Sequence, residues 1–209
     1  MATNDPIPFQ SIPWISTLLK DTSFVTLTIP SRTKKPSTED NLFSKTLNSE
    51  TTLSACLSQY RPLQTTTTTK SKSTPSSPQS PTTTTSTLAE ELRLFFILGS
   101  DLNGYPGMLH GGIVATLLDE ATGLLLSLNG HVGDASIREA KHAQPGPVTA
   151  YLNTKFLRPV PTPGAILVQA RMIEVKEDRK WRVEGVIRDG DGVVLAQAEA
   201  LYIRPRAKI

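Results

Sequence analysis

Cysteine is nearly absent from this chain: Cys56 is the only one in 209 residues. Within one chain, that excludes a disulfide framework and a cysteine-based metal site. Histidine is almost as scarce. His110, His131 and His142 stand at no metal-ligand spacing to one another, so no metal is expected. Hydrophobic residues make up 38% of the chain, low for a globular protein. The longest apolar stretch is interrupted by Asp119 and Glu120, so no membrane span is expected. The opening MATNDPIPFQ has neither the basic nor the apolar region of a secretory signal. Asp5, and the lack of any arginine before Arg32, argue against a mitochondrial presequence. The expected location is intracellular, the cytoplasm first.

A basic surplus is also missing where it would matter. The formal net charge is +3, but residues 88–209 hold 14 basic and 14 acidic side chains, and residues 1–87 hold 8 and 5. Nucleic-acid recognition needs clustered positive charge, so no nucleic-acid partner is expected.

Three regions are present. Residues 1–63 form an N-terminal extension with short helices. Phe9, Ile12, Trp14, Ile15, Leu18 and Leu19 have helix-like spacing, which suits either a helix packed on the main domain or a lid over a substrate channel. Asn41–Leu57 is expected to add another short helix. Residues 64–87 are a low-complexity linker: of residues 65–87, 11 are Thr, 6 Ser and 3 Pro, a composition that builds no core. Residues 88–209 are the main domain.

That domain is organised around GYPGMLHGGIVATLLDEATGLLLSL, residues 104–128. Ile113, Val114, Leu117, Leu118, Ala121, Leu124 and Leu125 recur at the helical period and nearly surround the helix, which predicts a buried central one. Asn129-Gly130 ends it, and Gly130–Pro147 reads as a polar loop. One strand, Leu92–Leu98, precedes it. Four follow: Thr149–Leu157, Ala165–Glu174, Trp181–Asp189 and Val193–Ile203. Trp181, Val183, Gly185 and Ile187 share one face, and Asp189-Gly190-Asp191-Gly192 is a hairpin turn. Short connections make the sheet mainly antiparallel. The class is α+β: an antiparallel sheet wrapped around one long helix.

Chemistry gathers in the helix. Gly111 and Gly112 open it, and N–H groups in the first turn have no intrahelical partner. They can donate to a carbonyl oxygen that becomes negative. Asp119 sits among the small residues Ala115, Thr116, Thr122 and Gly123, so a reactant can approach it. Glu120 points about 100° away. Gly111 and Asp119 lie about 12 Å apart at roughly 1.5 Å per residue, too far to act on one carbon. A two-fold dimer with antiparallel helices would pair Asp119 of one copy with Gly111 of the other.

HGGIVATLLDEATG resembles the signature of hotdog-fold acyl-CoA thioesterases of the PaaI-like superfamily, and TAYLNTKFLRPVP resembles the strand after the helix in that family. The likeness covers about Leu92–Ile203. It implies a hotdog fold and hydrolysis of an acyl-CoA thioester without a cofactor, in a homodimer or a dimer of dimers. It makes Asp119 the base or nucleophile and Gly111 the oxyanion donor. His110 would orient the carbonyl, and Thr149 the water or the acid. Some relatives carry Asn six residues before the His; here that position is Gly104, with Asn103 one residue off. Lys155 and Arg158 are the candidates for the phosphates of coenzyme A. The rival reading is a non-catalytic hotdog module that binds an acyl group or a protein. Ala207-Lys208-Ile209 resembles a C-terminal peroxisomal address.

Overall fold

A computed structural model describes residues 5–66, 85–130, 146–177 and 179–205. His131, His142, most of the linker and Ala207-Lys208-Ile209 fall outside them. Helix α3 (Gly111–Leu128) is the axis. His110 caps it from an extended backbone, its ring Nδ1 accepting the Gly112 N–H at 2.9 Å. Asn129 closes it, and Gly130 follows at φ 71. The Asn129 side chain accepts from the Ala89 N–H at 2.7 Å and donates to the Ala89 carbonyl at 3.1 Å, which ties the helix end to the sheet.

Among the described residues the sheet has seven strands: β1 (Val25–Leu27), β2 (Leu53–Thr66), β3 (Thr85–Leu98), β6 (Val148–Phe156), β7 (Gly164–Lys176), β8 (Lys180–Arg188) and β9 (Val194–Ile203). Their order is β1-β2-β3-β7-β8-β9-β6, every neighbouring pair antiparallel. A small ribbon, β4 (Asn103–Tyr105) with β5 (Met108–Leu109), precedes α3. The sheet wraps α3, which is the hotdog arrangement. Leu117, Leu118, Ala121 and Leu125 of α3 are fully buried against Leu92, Leu94 and Val168 and against Trp181, Val183 and Ile187 of β8. By length and composition α3 would also suit a membrane; here the sheet takes up its apolar sides.

Two expectations change. Three strands of the large sheet precede α3 rather than one. Asn41–Leu57 is not a helix: Leu42–Thr46 forms one π-helical turn and Leu53 begins strand β2. Strand β2 pairs with β3 from Leu53↔Leu98 to Thr66↔Thr85, so the low-complexity tract joins two paired strand residues. The extension is thereby woven into the sheet. Its helices α1 (Ile7–Gln10) and α2 (Pro13–Leu18) bury Phe9 and Ile15 against Ala55, Leu57, Phe95 and Leu167. That is the sheet face opposite α3, so these helices brace the sheet and are not a lid over the α3 side. Further along, Ile29, Phe43 and Leu47 join the α3 core. Buried Arg32 holds this segment in shape, donating to the carbonyls of Phe43, Leu47 and Leu53 and to Asn48 Oδ1.

Candidate active site

Asp119 projects from the middle of α3 toward β6 and β9. Thr149 Oγ1 donates to its Oδ1 at 3.2 Å, and the Tyr202 hydroxyl lies 3.3 Å from the same oxygen. Thr149 and Tyr202 are register partners on β6 and β9, so one rung of the ladder presents both hydroxyls. Oδ2 accepts no hydrogen bond among the described residues. Tyr202 is buried, and its hydroxyl also meets Thr122 Oγ1 at 2.9 Å. Burial, reinforced by the negative Asp119, pushes this phenol above its ordinary range. The sequence pattern alone does not single out Tyr202. Its signal was Gly123, a helix-interior glycine that costs roughly 1 kcal/mol against alanine. A Cβ there would sit 3.3 Å from the Tyr202 oxygen.

Most of the other sequence-selected residues gather at the N-terminal end of α3. A cleft of about 540 Å³ opens between the β4–β5 ribbon and the segment after β6, lined by His110, Gly111, Val114, Phe156, Arg158 and Val160 among others. Asp119 and Thr149 do not line it. The Gly111 N–H takes no acceptor among the described residues. It points from a helix N-terminus, where partial positive charge collects. Gly112 is a correction: its N–H is taken by His110 Nδ1. That bond leaves the ring proton on Nε2 of the exposed His110, free to donate.

Asn103 sits at the start of β4. Its Oδ1 accepts from Thr162 Oγ1, which fastens the ribbon to the loop before β7. Gly104 packs on His110: a Cβ there would come within 3.1 Å of the His110 Cα. A larger residue at 104 would displace the histidine. Lys155 is a second correction. Strand alternation turns it to the outer sheet face with Asn153 and Glu199, away from the cleft that Phe156 lines. Arg158 is exposed at the cleft.

Glu120, the other acid, turns the opposite way. Its Oε1 accepts a hydrogen bond from Ser31 Oγ of the extension. Burial raises its pKa to about 7; the Ser31 bond opposes the rise, and nearby Asp40 and Asp119 add to it. No local sequence pattern announces this contact, which spans 89 residues.

A histidine-capped helix that opens on two glycines, with an acid two turns on, inside a wrapped sheet, defines a thioesterase-like hotdog protein. Comparison with known proteins gives the family. Residues 106–196 match the thioesterase superfamily. Verlamelin biosynthesis protein B of Lecanicillium sp is 31% identical over 187 residues, covering 80% of this chain and 75% of that one. The acyl-coenzyme A thioesterase THEM4 of Rattus norvegicus is 31% identical over 107 residues; the match covers 51% of this chain and only 40% of that protein's length. Among solved structures, a hypothetical thioesterase of Streptococcus pneumoniae with coenzyme A superposes at TM-score 0.46 and 15% identity, covering 56% of this chain and 79% of that one. The chain belongs to the thioesterase superfamily.

Proposed function

We propose that the protein hydrolyses acyl-CoA thioesters at two equivalent sites, each shared between two copies of the chain. The observation that carries this is the separation of the two half-sites. Asp119 with its hydroxyls lies midway along α3, and the unpartnered Gly111 N–H lies at its start, about 12 Å away by helical rise. Strand β6 pairs only with β9 and leaves its other edge open among the described residues. Val148, Tyr151 and Phe156 on this strand, with Leu157 just beyond it, are all more than two-fifths exposed. Such an edge is a template for pairing with a second copy. Antiparallel pairing about a two-fold axis brings Asp119 of one helix toward Gly111 of the other.

In each site the thioester carbonyl oxygen accepts from the Gly111 N–H, with His110 Nε2–H beside it. Asp119 Oδ2 takes a proton from a water as that water attacks the carbonyl carbon. The oxyanion that forms is held by the Gly111 N–H. It collapses by breaking the C–S bond; the thiolate leaves and is protonated, and the acyl group leaves as a carboxylate. Arg158 at the cleft suits a phosphate of coenzyme A. The relatives named acyl-coenzyme A thioesterases support the substrate class.

Two measurements test this. The purified chain, screened with acyl-CoAs of graded length, should release free thiol; no release at any length leaves the binding-module reading. An Asp119→Asn chain mixed with a His110→Ala chain should recover about a quarter of wild-type activity, because half the dimers then hold one intact site. No recovery above the parents would place the whole site within one copy.

A further inference from the structure

We propose that Tyr202 is a positioning residue for this hydrolysis: its buried hydroxyl, with Thr149, fixes Asp119 Oδ1 so that Oδ2 faces the reactants. The inference rests on the hydrolytic reading and extends it to a residue 83 positions along the chain from Asp119. The phenol has one proton and three oxygen acceptors in reach: Thr122 Oγ1 at 2.9 Å, the Asp119 carbonyl at 3.2 Å and Asp119 Oδ1 at 3.3 Å. Thr122 Oγ1 carries a proton of its own and can donate it to the phenol oxygen, which frees the phenol proton for another acceptor. The carboxylate is the charged acceptor, and charge-assisted bonds are the stronger ones. The phenol proton therefore belongs on Asp119, with Thr122 holding the phenol from behind. The Oδ1 contacts of 3.2 and 3.3 Å exceed the roughly 2.7 Å such bonds prefer, as unliganded catalytic contacts commonly do.

Three features of the chain support one geometry. Gly123 leaves room for the phenol where any side chain would press on it. Strand register sets Tyr202 beside Thr149. Burial denies the phenol water as an alternative partner, since Tyr202 is 4% exposed. A carboxylate with one oxygen doubly held cannot rotate to offer that oxygen to solvent. The other oxygen keeps a fixed aim, which is what near-attack geometry requires.

The test uses the full chain and the best acyl-CoA found in the length screen. Tyr202→Phe keeps the ring and removes only the hydroxyl. It should lower kcat by about tenfold, the loss of one charge-assisted hydrogen bond, with KM unchanged. Gly123→Ala supplies a second route to the same oxygen. It should lower kcat several-fold in the Tyr202 chain and not in the Tyr202→Phe chain, although alanine favours the helix. A purely structural tyrosine would not make the cost of Gly123→Ala depend on its own hydroxyl. In an Asp119→Asn background, Tyr202→Phe should have no further effect on residual turnover. Unchanged kcat in a folded Tyr202→Phe chain, or equal costs of Gly123→Ala in both backgrounds, overturns the proposal. Near-normal turnover by Asp119→Asn itself would instead overturn the underlying hydrolytic assignment.

Discussion

Asp119 and Glu120 are adjacent acids on one helix, and the fold gives them opposite surroundings. Asp119 faces the open-edged end of the sheet, where two hydroxyls hold one of its oxygens. Glu120 faces the extension, where Ser31 caps it and Arg32 lies nearby among backbone carbonyls. Helical geometry turns neighbours about 100° apart, so one residue step carries a carboxylate from an open edge to a sealed seam. An acid pair in a sequence is therefore not a pair in function. What surrounds each carboxylate decides whether it can meet a substrate.

The largest expected contrast is in turnover. Asp119→Asn should lower kcat by about a thousandfold, within the range that a general base supplies, while Glu120→Gln should stay within a few-fold. Thiol release on a cleaved acyl-CoA reads both. If Glu120→Gln is the more damaging change, the assignment of the two faces is reversed. Next comes stability on the sealed side. Arg32→Ala strands the carbonyls of Phe43, Leu47 and Leu53, each stranded buried acceptor costing about 1–3 kcal/mol. Urea unfolding should show a loss of about 3–4 kcal/mol in all, after partial relaxation around the site. A loss below 1 kcal/mol would mean the extension is not braced there.

Much of the candidate site was legible in the sequence, because its signals are local. The 3.6 period, the glycines after His110 and an acid among small residues all fall within twenty positions. The strands after α3 were legible for the same reason, through alternation and the Asp189–Gly192 turn. Strand β2 was not. Its residues are apolar on both faces, Cys56 toward α3 and Ala55 and Leu57 toward α1 and α2, so no period of two stands out. Pro62, at a register shift beside Arg61, blurs the strand further. Ser31 under Glu120 and Tyr202 beside Asp119 were invisible because each contact spans more than 80 residues. Gly123 was the one local trace of Tyr202. The two binding-residue corrections have different causes: a neighbour claims the Gly112 N–H, and Lys155 lies on the outward phase of its strand.

The pH dependence of stability sharpens the contrast further. Glu120 ionises near its ordinary 4.5 in the unfolded chain and near 7 in the folded one. Between those values the folded state holds the extra proton, so stability falls as pH rises, and above 7 the loss is complete. The full shift amounts to about 3 kcal/mol. Urea midpoints at pH 5 and pH 8 should differ accordingly, and Glu120→Gln should flatten the difference. An unchanged slope in that variant would assign the dependence to other groups.

The finest test deletes one hydroxyl donor beside each acid. Ser31→Ala removes the donor that opposes the rise in the Glu120 pKa, so the ionised form becomes costlier and its titration moves further up. At neutral pH this should cost about 1 kcal/mol of stability and leave kcat unchanged. Thr149→Ala removes the donor at 3.2 Å from Asp119. Thr149 is exposed, so its hydroxyl contributes little to folding, and the thermal midpoint should stay within about one degree. The carboxylate, held then by Tyr202 alone, should lose a few-fold in kcat. The two substitutions thus exchange their readouts, one moving stability and the other turnover. If both move the same quantity, the seam and the open edge are not energetically separate, and the two acids act as one coupled group across α3.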